Sequence, residues 1–326
     1  LEGAEGGDQA GQAGKSGIEW AQGDAQTGEL VSSTVSDGRV TDVHALEDGQ
    51  QGPPVGEEAR IDTYYYDGDP LTALGIEFET VQYPSDIGSF PAWYIEGTTD
   101  AWAIVVHGKG ASLEEGLRVV PLFQDLGYHV LIIKYRNDVG EARDPSGFHQ
   151  YGVTEWVDVA GAVTYARDNG AERHVLYGYS MGGAIVTSYL TQSPLRNFTE
   201  AAILDSPMLS LSDTIDFRAS NTTVLGLPVP QAVTDFAKWL SSWRFDVDWE
   251  ATDYLSDENL ANLHAPMLIL HGSNDESVPI ETSQEIAERR SDIATLVRTD
   301  AGHVRNWNID PEAFDEIVRE FLAGLG

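Results

Sequence analysis

The chain has 326 residues, with 53 acidic against 19 basic side chains, a formal net charge of −34 and no cysteine. This length supports one large domain with an appendage. The charge disfavours nucleic acid and anionic lipid as partners, and the missing thiols exclude disulfides, cysteine nucleophiles and thiolate metal sites. The basic set is 15 Arg and four Lys, and the acids are spread through nearly every segment. An acidic docking face for a cationic partner would gather them in a run, so adaptation to high salt is the better reading. It expects activity and melting temperature to hold or rise from low to molar NaCl; a steady loss of stability over that range would exclude it.

In chain order, residues 1–16, "LEGAEGGDQAGQAGKS", lack periodicity and read as a linker or tail. Residues 17–70 carry short β-branched runs between turn signals, "GELVSSTV", "SDGRVTDVHAL" and "EARIDTYYY", predicting a small β-rich appendage. From residue 71 to 326 strands and helices alternate. "IEFETVQYP" and "FPAWYIEG" read as a hairpin; "AWAIVVHG", "HVLIIKY", "HVLYGYS", "AAILDSP", "PMLILHG" and "ATLVRTDAG" read as strands. Helices are predicted at 113–126, 154–168, 181–192, 281–290 and 311–323. This pattern predicts an α/β domain with a mostly parallel sheet and helices on both faces. No apolar run reaches the length of a membrane span. Residues 208–262 are too long for an ordinary crossover and predict a helical cap, whose Phe236, Trp239, Trp243 and Phe245 are expected to line the substrate pocket.

In "LYGYSMGGA" Ser180 lies between Gly178 and Gly182, after a strand and before a helix. An inert serine in a glycine turn is the plainer alternative, but the strand-turn-helix setting is what a nucleophilic serine requires, since its Oγ must project from a sharp turn. Such a serine needs a base, normally a histidine oriented by a carboxylate. Of eight histidines, His303 in "DAGHVRNW" follows a strand and precedes the last helix. His107 and His271 each close a strand as "HG" and suit loop-shaping hydrogen bonds. His44, His129, His149, His174 and His264 lack a comparable setting. Asp275 in "HGSNDESVP" is the expected carboxylate, with Glu276 its neighbour, Asp205 an alternative whose plainer role is to accept backbone N–H bonds, and Asp300 too local to His303. Oxyanion donors are expected at the backbone N–H of Met181 and, in "HGKG", of Lys109, whose side chain is expected to be incidental.

"HGKG", "GYSMGG", "HGSNDESVP" and "AGHVRNW" together resemble the α/β-hydrolase superfamily over roughly residues 77–326, in the branch shared by prolyl-oligopeptidase-type peptidases and many bacterial esterases. "KYRNDVGEARDPSG", "YGVTEWVDVAGAV" and "LDSPMLSL" resemble bacterial hydrolases with an extra N-terminal segment, often exported or membrane-anchored. The resemblance implies serine-dependent hydrolysis without a cofactor, and an extracytoplasmic location; the His and carboxylate spacings form no zinc set, so no metal is expected. A start at Leu1 rather than Met is compatible with a signal or anchor removed upstream. The oxyanion loop departs from the "HGGG" of one esterase group. The expected activity is a carboxylic-ester hydrolase acting on a small-molecule ester. The alternatives are a serine peptidase that binds a substrate amino group through Glu114, Glu115, Asp138 or Glu141, and a non-catalytic binding protein on the same fold.

Overall fold

The computed structural model describes residues 2–4, 14–20, 23–36, 39–62, 64–224, 227–245 and 247–325. The N-terminal segment contributes β1 (Glu2–Ala4), β2 (Ser16–Trp20), β3 (Gly23–Ser36), β4 (Arg39–Leu46) and β5 (Ala59–Asp62) to one antiparallel sheet ordered β1-β4-β3-β2-β5. The tail reading of residues 1–16 is corrected at both ends: Glu2–Ala4 pair with Arg39–Thr41, and Ser16 already pairs with Thr27. Edge pairing draws on backbone donors and acceptors, which composition does not report. Residues 5–13 of that stretch lie outside the described residues.

After α1 (Pro70–Leu74), the main domain is built on an eight-stranded sheet. Its elements run β6 (Glu79–Ser85), β7 (Gly88–Ile95), β8 (Ala101–Val106), a 3-10 helix (Leu113–Val119), α2 (Val120–Asp125), β9 (His129–Ile133), α3 (Trp156–Asp168), β10 (Arg173–Tyr179), α4 (Met181–Gln192) and β11 (Thr199–Asp205). The cap follows, with α5 (Leu211–Ser220), β12 (Thr223–Val224), β13 (Leu227–Pro228), α6 (Gln231–Phe245) and α7 (Asp257–Asn262). The chain then closes through β14 (Met267–Gly272), α8 (Ile280–Arg289), β15 (Ala294–Thr299), α9 (Asn306–Ile309) and α10 (Pro311–Ala323). Spatial order is β15-β14-β11-β10-β8-β9-β7-β6. The six strands from β15 to β9 are mutually parallel, while β7 runs antiparallel to β9 and to β6.

Strand alternation explains the two layers. Trp102, Ile104 and Val106 of β8 face one core with Val163 of α3, Ile185 of α4 and Ile286 of α8. Ala101, Ala103 and Val105 face the other, with Leu117, Phe123 of α2 and Phe314 of α10. Both faces are covered, so the central strands are continuously apolar. The carboxyl ends of β8, β10, β11, β14 and β15 therefore open onto one edge, where loops are free to carry chemistry.

On β10 the imidazole of His174 is buried, its Nε2 3.0 Å from Thr199 Oγ1. Burial, assisted by the charge of Arg167, pushes its pKa down to about 4. Below about 6.5 the unfolded chain takes up a proton that the folded chain refuses. Stability present above that pH therefore drains as pH falls toward 4, by roughly 3 kcal/mol in all. In urea titrations His174→Gln should lose this component of the pH slope. An unchanged slope would refute the assignment.

Candidate active site

Between β10 and α4 the chain turns sharply at Ser180, whose φ is 48° and ψ −112°. A Cβ on Gly178 would lie 2.6 Å from Gly182 O, and one on Gly182 would lie 2.2 Å from Val106 O. Glycine at both positions is what lets strand, turn and helix pack this closely. Ser180 N–H donates to Asp205 O at 2.9 Å, and Ser180 O accepts from Met208 N–H at 3.1 Å, so the strained residue is pinned from β11 and the loop after it.

His303, in the loop after β15, places Nε2 2.9 Å from Ser180 Oγ and Nδ1 2.7 Å from Asp275 Oδ2. A carboxylate facing Nδ1 requires the proton on that nitrogen, which leaves the Nε2 lone pair for the serine hydroxyl. Asp275, in the loop after β14, accepts from Ser277 and Val278 N–H through Oδ1 at 2.8 and 2.9 Å. Its Oδ2 also lies 3.2 Å from His271 Nε2. Burial works against its charge, but the hydrogen bonds from His271 and His303 outweigh burial and hold its pKa well below the usual carboxylate range. His271 Nε2 faces Asp275 and the Val278 carbonyl, so it carries the proton while Nδ1 accepts from Ser283 Oγ at 2.7 Å. This is the loop-shaping role its strand-end position suggested.

The other carboxylates stand apart from this relay. Glu276 and Asp300 are exposed. Asp205 is fully buried at the end of β11 and takes Asn306 Nδ2 at 2.6 Å and Ser206 Oγ at 3.3 Å. It fixes the loop through side chains rather than through the expected backbone N–H groups. Burial pushes its pKa up against the nearby charge of Arg118.

On the opposite side of Ser180 runs the "HGKG" loop. A Cβ on Gly108 would lie 3.3 Å from Ser180 Cβ. Gly108 N–H is committed to Glu115 Oε2 at 2.6 Å, and Ala111 N–H folds back to Gly108 O at 3.3 Å. Lys109 N–H has no backbone acceptor among the described residues, and Met181 N–H occupies the first position of α4, where no intrahelical acceptor exists. His107 anchors the loop. Its Nδ1 lies 2.8 Å from Gly108 O and its Nε2 2.9 Å from Asp138 Oδ2, so both nitrogens face acceptors. Burial opposes its charge, yet the Asp138 carboxylate raises its pKa above the ordinary imidazole value.

A cavity of about 410 Å³ opens beside this centre, lined among others by Lys109, Phe148, Tyr151, Leu211, Val247 and Trp249. It reaches the centre through Lys109; Ser180 and His303 are not themselves among its lining residues. The predicted cap aromatics are corrected here. Phe236, Trp239 and Trp243 are 60, 61 and 74% exposed and do not line the cavity. The side chain of Phe245 lies outside the described residues. Helix α6 is turned by polar anchors: Lys238 Nζ meets Asp216 at 2.6 Å and Ser212 Oγ at 2.9 Å, while Ser242 Oγ accepts from Trp249 Nε1 at 2.8 Å. Amphipathic spacing defines two faces but does not say which one turns inward.

The family profile described as Serine aminopeptidase, S33 matches residues 97–260, half of the chain. The chain belongs to the serine aminopeptidase S33 family. Its fold is that of the α/β hydrolases. An esterase from Pyrococcus furiosus, Pf2001, superposes with a TM-score of 0.62 at 24% identity, covering 80% of this chain and 97% of that one. Protein ABHD12B of Homo sapiens is 24% identical over 60% of this chain and 52% of its own length. The lysophosphatidylserine lipase ABHD12 of Macaca fascicularis is 22% identical over 79% of this chain and 66% of its own length. The chain thus spans about half to two thirds of the length of these two relatives.

Several residues of this S33 member's site escaped sequence reasoning. The Lys109 side chain is not incidental: Nζ donates to Tyr151 Oη at 2.7 Å and lies 5.0 Å from that ring's centroid. Tyr151 has φ 54° and is held by Tyr254 Oη on its carbonyl at 2.8 Å. Glu155, fully buried, accepts from Gln150 and Gly152 N–H at 2.6 and 2.9 Å on either side. Only Gly152 and Glu155 in "YGVTEW" hinted at this turn, and neither points to Tyr151 as a wall of the cavity.

Proposed function

We propose that the chain is a carboxylic-ester hydrolase working through an acyl-enzyme on Ser180. His303 takes the hydroxyl proton as Oγ attacks the acyl carbon, then returns it to the leaving alcohol. Asp275 holds the imidazole in the required tautomer and stabilises the imidazolium. The N–H groups of Met181 and Lys109 receive the oxyanion, and water repeats the cycle to release the acid. The reading rests on the continuous relay of 2.9 and 2.7 Å from Ser180 through His303 to Asp275. The esterase and lipase names among its relatives agree with ester chemistry.

A peptidase that captures a substrate amino group would need a pair of free carboxylates near the strand ends. Glu115 is committed to Gly108 N–H, Asp138 to His107, and Glu141 to Lys134 Nζ at 3.1 Å. Glu114 alone of the four candidates has no such commitment among the described residues. This favours esters over amino-terminal peptides. Fluorophosphonate labelling, followed by turnover of p-nitrophenyl esters and matched p-nitroanilides of graded acyl length, tests it. Ester turnover at least a hundredfold above anilide turnover is expected; comparable rates would establish the peptidase.

The apolar walls of the cavity are expected to take the acyl group. Trp249→Ala should raise KM for octanoate esters about tenfold or more and leave acetate nearly unchanged, since each lost apolar contact is worth roughly 1–3 kcal/mol. Equal effects on both would remove the acyl group from this cavity.

A further inference from the structure

Immediately after His303 the backbone enters a region that β-branched residues avoid: Val304 has φ 56°. Two hydrogen bonds hold it there. Val304 N–H donates to Ser206 Oγ at 3.1 Å, and its carbonyl accepts from Arg118 Nη1 at 2.7 Å. Arg118 lies in the 3-10 helix that follows the "HGKG" loop and is 1% exposed. The same Nη1 donates to Asn308 Oδ1 at 2.8 Å, the guanidinium sits 4.9 Å above the Tyr179 ring, and Nη2 is 3.8 Å from Glu115 Oε1. Glu115 completes the bridge through its bond to Gly108 N–H. One buried pair thus grips the backbone one residue before Lys109 and one residue after His303.

The bridge continues into the N-terminal sheet. Asn308 Nδ2 donates to Lys15 O at 2.8 Å and Lys15 N–H donates to Asn308 O at 2.7 Å. Arg305 Nη2 donates to Lys15 O at 3.1 Å and to Ser16 Oγ at 2.9 Å. Gly14, at φ 92°, passes so close that a Cβ would lie 2.5 Å from Asn308 O.

We infer that Glu115 and Arg118 are positioning residues that set the loop of Lys109 and the loop of His303 in one register, and that residues 14–16 lock this bridge through Asn308. The inference rests on the acyl-transfer reading of Ser180 and His303. A guanidinium offers a planar fork of donors to several acceptors at once, which an ammonium does not. Removing one partner of a buried pair leaves the other uncompensated. The loops move apart in consequence, and a misplacement of about 1 Å at the reacting groups costs on the order of a hundredfold in rate.

The test uses the full chain with Glu115→Ala, Glu115→Gln, Gly14→Ala and, as a stability control, Ile18→Ala in the same sheet. Ester kcat, KM, fluorophosphonate labelling rate and melting temperature are measured for each. Glu115→Ala should lower kcat and labelling about a hundredfold at unchanged KM, and Glu115→Gln, which keeps an acceptor for Gly108 N–H, should recover most of it. Gly14→Ala should lower kcat about tenfold although residue 14 touches no reacting group, while Ile18→Ala lowers the melting temperature without changing kcat. Folded Glu115 and Gly14 variants with kcat within twofold of wild type would overturn the inference. If Glu115→Ala fails to fold, Gly14→Ala decides. A folded wild type that the probe does not label would instead defeat the acyl-transfer reading itself.

Discussion

Ser180→Ala should abolish fluorophosphonate labelling and lower ester kcat by on the order of 10⁶, the loss seen when the nucleophile of a Ser-His-Asp hydrolase is removed. The substitution deletes one hydroxyl, 2.9 Å from His303 Nε2, and leaves the turn, the glycine contacts and the cavity intact. The melting temperature should therefore change little, and apolar ester analogues should bind with nearly unchanged affinity. Residual turnover would come from the N–H groups of Met181 and Lys109 acting on bound substrate with water as nucleophile. A folded variant that keeps more than one hundredth of wild-type kcat would mean that another group attacks.

Asp275→Asn should lower kcat by about 10⁴ with KM nearly unchanged. Among the described residues the carboxylate's polar contacts are with donors: Ser277 and Val278 N–H on Oδ1, His303 and His271 on Oδ2. An amide that keeps its oxygen on the two backbone groups turns its NH2 toward His303. That drives the imidazole proton to Nε2 and removes the base from Ser180. Flipping the amide instead leaves two backbone N–H groups facing a donor, so stability falls as well. The depressed pKa of Asp275 gives the pH sign. Its stabilising charge is present above the unfolded value near 3.8 and is lost only as pH falls through the lower folded value. The acid limb of the wild-type rate profile is therefore not expected to come from Asp275. A loss of less than tenfold in Asp275→Asn would shift the orienting role to another carboxylate, with Asp205 the first to examine.

Much of the architecture was legible because local chemistry repeats it. Apolar runs such as "AWAIVVHG" and "PMLILHG" are buried on both faces, so their composition alone marks them as central strands. Helix α4 begins at the predicted residue because Gly178 and Gly182 leave room for the sharp turn at Ser180 that a Cβ at either position would block. The three residues that meet at 2.9 and 2.7 Å were nameable because each follows a strand of the same sheet, and parallel strands deliver their ends to one edge.

What failed to show in the sequence depends on which surface each element turns toward. Phe236, Trp239 and Trp243 form an aromatic stripe under either orientation of α6; the half-buried contacts of Lys238 and Ser242 turn it outward. Trp249 and Tyr151 become cavity walls only when segments about a hundred residues apart are packed together. Arg118 and Asn308 look like ordinary polar helix residues and Glu115 like a group for a substrate amine, and their place beneath the two loops comes from contacts spanning up to 190 residues of chain. By itself the sequence determined the sheet, the turn at Ser180 and the three residues gathered at its edge, since periodicity and glycine sterics act over a few neighbours. Tertiary structure alone decided the cavity walls, the orientation of the cap and the buried bridge to the N-terminal sheet, because desolvation and hydrogen-bond geometry depend on groups that are distant along the chain.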